Sequence, residues 1–292
     1  MAKSNLKVKK QASTANLKVV DKNAIKTTAY SDINLNDWRN YDHVKTDTLW
    51  EFPTRLKEGG HSNEYHGNYI PQIAQQIYER YTKQGDIVLD MFFGSGTSGI
   101  EAINMKRRCI GVELKEDLAE SVSEKFTPKQ LVTDVNIICA DSASEIAKEK
   151  IKARLDIMGR KQAQLLMLHP PYDDIIKFSD KKEDLSNCSS TEEFYDLFEK
   201  VAKNGYDMLE KVRFACLIIG DKYANSQHIP LGFECMARMN KLGFITKAII
   251  IKDMQGNERA KGKTANLWRY RALAGGFYIF KHEYVMVFQK VG

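Results

Sequence analysis

Short apolar runs alternate along most of the chain with longer stretches of helical period. The runs span 87–91, 109–112, 135–139, 165–168, 214–219, 245–251 and 284–288. Each has the length of a strand buried on both faces. Between most of them apolar groups recur every three or four positions, over 96–105, 116–126, 142–158, 191–209 and 230–241. Ahead of the first run, Ile73, Ile77, Tyr78 and Tyr81 keep the same spacing behind Pro71, a residue suited to a first helical turn. Strand–helix–strand repetition predicts an α/β fold, a doubly wound and mostly parallel seven-stranded sheet covered on both faces. The last run has no helix before it, which predicts an antiparallel final strand.

Charge divides this picture in two. The 292 residues carry 44 Lys+Arg against 38 Asp+Glu, a net charge of +6. Residues 1–30 hold seven of the lysines and one acid, so they account for the whole surplus, and the other 37 basic and 37 acidic side chains cancel. Residues 1–30 have neither a helical nor a strand period and read as a disordered basic arm. Such an arm either meets an anionic partner or serves solubility alone. Residues 31–292 read as a neutral folded body. No apolar run approaches the roughly 18 residues of a membrane span, and the lysine-rich start does not resemble a secretory signal. The five cysteines are widely spaced without a C-x-x-C pair. That pattern predicts a cytoplasmic protein without disulfides or a metal site.

Candidate chemistry starts where the first run meets a glycine turn, "DIVLDMFFGSGTSGIEAI". Gly94, Gly96 and Gly99 satisfy G-x-G-x-x-G, and Glu113 closes the next strand 19 residues after Gly94. That spacing suits a dinucleotide or S-adenosylmethionine equally. Asp90, at the end of the first strand, favours the latter. A carboxylate repels a pyrophosphate and attracts a sulfonium cation. Asp141 follows the third strand, either as an acceptor for an adenine amino group or as a helix N-cap. Three acids thus close three consecutive strands.

The most specific signal is "LLMLHPPYDDIIKFS", where His169, Pro170, Pro171 and Tyr172 end a buried strand. The prolines make the turn rigid and aim a carbonyl, and the tyrosine adds a flat face. At this point the chain resembles the amino-methylating DNA methyltransferases, which modify adenine N6 or cytosine N4. "DMFFGSGT" is similar to their glycine motif, with Met91 in place of a proline, and "HPPY" to their catalytic motif. "YHGNYIPQIAQQIYERYTKQGD" resembles the segment beside the methionine end of the cofactor, and "HEYVMVFQK" the closing strand. The resemblance covers about residues 49–290. It implies S-adenosylmethionine as cofactor, held by Tyr69, Pro71, Asp90, Phe92, Gly94, Gly96, Thr97, Glu113, Asp141 and Ser142.

The resemblance also implies a mechanism. The lone pair of an exocyclic amine is delocalised into the base, and two acceptors gripping its hydrogens would make it available. Those acceptors would be the His169 side chain and the Pro170 carbonyl, with Tyr172 stacked on a base flipped out of the duplex. His169 departs from the usual Asp, Asn or Ser, which leaves adenine and cytosine both open. Neutral imidazole can accept one amine hydrogen, whereas imidazolium only donates. With an ordinary pKa of about 6.5 for histidine, activity is expected to fall on mild acidification.

For double-stranded DNA, the main candidate contact is a loop over 253–277, where Arg259, Lys261, Lys263, Arg269 and Arg271 interleave with Trp268. A solvated connection with Trp268 capping the core is the alternative. A second candidate is a mobile lid over 173–190. The aromatics Trp38, Tyr41, Trp50 and Phe52 read as core, and His228 has no evident partner. Methylation of RNA or of a protein amide stays open, as does a non-catalytic subunit binding DNA and cofactor. A homodimer, or a restriction or recognition partner, would suit the resemblance.

Overall fold

The computed structural model describes residues 25–61, 67–254 and 265–292. All seven apolar runs form strands of one sheet: β2 Ile87–Asp90, β3 Arg108–Glu113, β4 Val135–Cys139, β5 Ala163–Leu168, β6 Leu209–Ile219, β9 Phe244–Asp253 and β10 His282–Lys290. An eighth strand, β1 Leu49–Trp50, pairs in parallel with Ile251 and Lys252 at the outer edge. It is too short for its alternation to show in the sequence. The order across the sheet is β1-β9-β10-β6-β5-β2-β3-β4. Every pairing is parallel except those of β10, which runs antiparallel to both β6 and β9.

Helices fill the crossovers: α1 Pro71–Tyr81, α2 Thr97–Asn104, α3 Glu116–Ser123, α4 Pro128–Thr133, α5 Glu145–Ile157, α6 Thr191–Met208 and α7 Leu231–Lys241. A small antiparallel ribbon, β7 Lys222–Ala224 with β8 Gln227–Ile229, stands apart from the main sheet. On one face Ile73, Ile77 and Tyr78 of α1 pack with Ile100 of α2 and Val122 of α3. On the other, Ile151 of α5, Phe194 and Phe198 of α6 and Cys235 of α7 are buried. Each large apolar side chain so buried contributes about 1.5–3 kcal/mol.

β2 is flanked by β3 on one side and by β5 on the other. From β2 the chain winds outward to β3 and β4, then crosses back to β5, so the winding reverses between β2 and β5. At such a switch point a crevice opens beyond the carboxyl ends of the strands. Most of the expected arm, 1–24, lies outside the described residues. Tyr30 already belongs to the body, with its ring 4.8 Å from that of Phe214. Of the N-terminal aromatics expected in the core, Trp50 is fully buried, while Trp38 is exposed. No helix among the described residues is long and apolar enough to cross a membrane.

Candidate active site

A cavity of about 290 Å³ occupies the switch point. Its floor is the glycine turn after β2, where Gly94 (φ 51°) and Gly96 (φ 85°) adopt a left-handed conformation. Gly94 lines the cavity, whereas Gly96 turns away, and a Cβ there would meet Val122 at 2.7 Å. Gly99 serves packing instead, because a Cβ there would lie 2.8 Å from the Phe93 ring. Only one of the three motif glycines therefore permits close approach of a ligand. Phe92 and Thr97 complete this wall.

The three acids do different work. Glu113 lines the cavity and accepts the backbone N–H of Gly94 on Oε2 and of Lys115 on Oε1, both at 2.9 Å. Burial outweighs these bonds and pushes its pKa up to about 7. Asp141 also lines the cavity, and its Oδ1 accepts the Ala143 N–H at 2.9 Å. The N-cap of α5 is Ser144, not Asp141. Ser142 lies beside it and donates to the Met91 carbonyl at 2.6 Å, tying the end of β4 to that of β2.

Asp90 is buried behind the wall and does not line the cavity. It accepts the Ser98 hydroxyl and the Phe92 N–H. Ser98 in turn lies 2.5 Å from the Tyr69 hydroxyl. Rather than lining the cavity, Asp90 heads a buried chain through Ser98 to Tyr69, and it is Tyr69 that reaches the cavity. Burial raises the Asp90 pKa to about 6. Pro71 is the first residue of α1, likewise outside the lining.

His169, Pro170, Pro171 and Tyr172 all line the cavity at the end of β5. The imidazole stands edge-on between Tyr69, at 5.3 Å and 88°, and Tyr172, at 5.8 Å and 82°. Burial pulls its pKa down to about 4. The expected loss of acceptor capacity on mild acidification is thereby corrected, because desolvation keeps the ring neutral far below its ordinary value. The Tyr172 hydroxyl donates to Glu283 Oε2 at 2.8 Å, and Glu283 Oε1 pairs with Lys252 Nζ at 3.0 Å. Burial opposes the Glu283 charge, yet Lys252 and the neighbouring donors hold its pKa below the ordinary range. Sequence reasoning missed both residues. Their signal was a charged residue at the edge of each of two apolar runs, Lys252 in "IIIKD" and Glu283 in "HEYVMVF".

After Tyr172, Asp173 takes a left-handed conformation (φ 52°) and is anchored by Lys222 Nζ at 2.6 Å and the Thr191 hydroxyl at 2.8 Å. The segment expected as a lid forms two short 3-10 turns, and Ile175, Ile176, Phe178 and Leu185 from it wall the cavity. His228, which had no partner in the sequence, lies 2.9 Å from Asp221 Oδ2.

The expected loop over 253–277 is in part a helix, α8 Ala265–Gly275. Trp268, Arg269 and Arg271 lie on it, with the Arg271 guanidinium 5.3 Å from the Trp268 ring. Arg259, Lys261 and Lys263 lie outside the described residues. A Met254 N–H to Lys281 carbonyl bond of 2.9 Å closes the base of this excursion, and Met254 itself lines the cavity. Tyr270, Leu273 and Tyr278 are 70%, 73% and 86% exposed.

The doubly wound sheet, its reversed last strand and the cavity at its switch point define the Rossmann-like methyltransferase class. Within it, the chain belongs to the N6/N4 DNA methylase family, whose profile matches residues 2–124 and 163–292. Over 87 residues it is 36% identical to the probable type III restriction-modification enzyme HindVI Mod subunit of Haemophilus influenzae, covering 28% of this chain and 12% of that protein. Over 79 residues it is 32% identical to the type II methyltransferase M.SmaI of Serratia marcescens, covering 27% and 26%. These alignments span well under two thirds of either relative. Among solved structures it is similar to TrmN from Thermus thermophilus (TM-score 0.48, 15% identity, 77% of this chain and 50% of that one). A methyltransferase from Pyrococcus furiosus is also similar (TM-score 0.46, 14% identity, 78% and 88%).

Proposed function

We propose that this chain transfers a methyl group from S-adenosylmethionine to the exocyclic amine of a flipped adenine or cytosine in double-stranded DNA. The observation that carries the reading is the meeting of two groups of residues in one cavity. Acids and a left-handed glycine form one side, and the HPPY turn forms the other.

The donor set fits the cofactor. Glu113 keeps further lone pairs for ribose hydroxyls beyond the two backbone amides it accepts, and Asp141 can take an adenine amino group. Phe92 offers an apolar face. Asp90 contributes charge from behind the wall, and through Ser98 it holds Tyr69 in place. When bound, the cofactor supplies an electrophilic methyl on a sulfonium. His169 and the Pro170 carbonyl accept the two amine hydrogens, so that the nitrogen lone pair is no longer shared with the ring. Tyr172, tied at its hydroxyl, presents a fixed ring plane for the base. As the nitrogen gains the methyl and the methyl–sulfur bond breaks, leaving a neutral thioether, the nitrogen gives up one of its two gripped hydrogens as a proton. That proton passes by way of these acceptors to solvent; the rest is alignment, chiefly a positioning effect.

DNA would lie across the rim where Met254 leaves the cavity, against Arg269, Arg271 and the exposed aromatics of α8 and its neighbourhood. The test is transfer of labelled methyl from S-adenosylmethionine to DNA, RNA and protein offered together. Label in DNA alone is expected. Label confined to RNA or protein refutes the reading.

A further inference from the structure

The HPPY turn does not stand alone. Lys252 on β9 and Glu283 on β10 are direct cross-strand partners, both buried, and Glu283 lines the cavity. From there a chain of contacts runs inward: Lys252 Nζ to Glu283 Oε1 at 3.0 Å, Glu283 Oε2 to the Tyr172 hydroxyl at 2.8 Å, and that hydroxyl to His169 Nε2 at 3.4 Å. We propose that Glu283, paired with Lys252, sets the tautomer of His169 through the Tyr172 hydroxyl, placing the proton on Nε2 and leaving the Nδ1 lone pair as the acceptor offered to the substrate amine.

The available hydrogens decide the tautomer. A carboxylate only accepts, so the bond between Tyr172 and Glu283 must use the single hydroxyl hydrogen of the tyrosine. That assignment also follows from distance and charge, since the carboxylate lies nearer than the imidazole and hydrogen bonds to ionised acceptors are the stronger. The Tyr172 oxygen then has only lone pairs to offer His169. The hydrogen between them must come from Nε2. A neutral imidazole carries one N–H, so Nδ1 is bare. No hydrogen bond among the described residues involves Nδ1, and His169 lines the cavity. The reverse arrangement, Tyr172 donating to His169, would leave a buried carboxylate oxygen without its donor. It would also place a hydrogen on the nitrogen that has to accept one.

Glu283 is thus a positioning residue, acting on the amine only through Tyr172 and His169. The groups that bear on the imidazole are Tyr69 and Arg55 from the segment before α1, Lys252 from β9, and Tyr172 and Glu283. Burial and the two cations disfavour imidazolium, while Glu283 favours it. The neutral ring, whose tautomer matters, therefore persists at working pH.

The purpose of the device rests on the proposed amine transfer, but its test does not. The full chain is labelled with 15N at its six histidines, and the His169 signals are assigned by their loss in His169→Asn. Near pH 7.5, the wild type should show a protonated Nε2 and a bare Nδ1. In Glu283→Gln the new amide can donate to the Tyr172 oxygen and release the hydroxyl hydrogen toward His169, so the population should move to the Nδ1–H form. Single-turnover methylation of DNA should then fall at least about tenfold, since a wrong tautomer at a histidine-dependent site costs up to about 10⁴. Cofactor affinity should change by less than about twofold, because the affected groups are not those assigned to the cofactor. Tyr172→Phe breaks the chain at its middle link and should give mixed tautomers, which decides the matter if Glu283→Gln does not fold. A Nδ1–H ring in the wild type, or an unchanged Nε2–H ring in the folded variants, overturns the proposal. Failure of the wild type to methylate DNA would sink the proposed function and leave the tautomer measurement standing.

Discussion

Glu113 and Asp90 keep their charge only above about pH 7 and about pH 6, because burial favours the protonated acids. Attraction for a sulfonium is therefore present above these values and is lost as pH falls through them. S-adenosylmethionine should bind more tightly than S-adenosylhomocysteine, whose sulfur is neutral, near pH 8, and should lose that margin by about pH 5.5. Calorimetry with both ligands measures the ratio. An unchanged ratio would mean that neither carboxylate senses the sulfonium. The His169 pKa is shifted the other way, pulled down by burial. Neutral above its value of about 4, the ring should let methyl transfer at saturating cofactor stay level down to about pH 5. A fall centred near the ordinary imidazole value would contradict that. A fourth residue, Gly111, is tested through packing. A Cβ there would lie 2.2 Å from the Phe93 ring, which forms part of the cavity wall. Gly111→Ala should destabilise the fold by about 1–3 kcal/mol and weaken cofactor binding, read by thermal unfolding and titration.

Among the elements, α8 makes the sharpest prediction. None of its residues lines the cavity, and in the proposed reading its basic and aromatic groups meet phosphates and bases. Arg269→Ala together with Arg271→Ala should weaken DNA binding at least about tenfold, on the scale of lost phosphate contacts, and leave cofactor affinity unchanged. Equal loss of both would make the helix structural. The same element shows where reading the sequence stopped. Its apolar and basic groups are spread around the helix and so lack the one-sided period that marked α1, α2 and α5 to α7. α4 escaped for a related reason: it is six residues long and buries none of them, its start being held by a Thr127–Gln130 capping box and Pro128. The seven main strands were legible because burial on both faces demands unbroken apolar runs. Likewise, the glycine turn and HPPY were legible as local chemistry. Asp90 was legible as an acid at a strand end, but its place behind the wall depends on Ser98 and Tyr69, contacts that no spacing encodes. Lys252 and Glu283 become partners only through the register of β9 against β10, which is a property of the assembled sheet.

For the whole molecule, the distribution of charge sets how DNA is met. A body with no net charge and an acid-lined cavity gives little long-range attraction to a polyanion. The surplus of residues 1–30 would supply it as a tether whose contribution salt screens. Removing residues 1–24 should therefore weaken DNA binding most at low ionic strength and leave the rate on saturating DNA unchanged. Loss of turnover at saturation would instead assign the arm to the active site. What defines the molecule chemically is the atom that receives the methyl group. The most direct test of its identity is digestion of DNA methylated with deuterated S-adenosylmethionine, followed by mass spectrometry of the nucleosides. Label is expected on N6 of deoxyadenosine or N4 of deoxycytidine, lost in His169→Ala. Label at carbon 5 of cytosine, or no label in any deoxynucleoside, would contradict it.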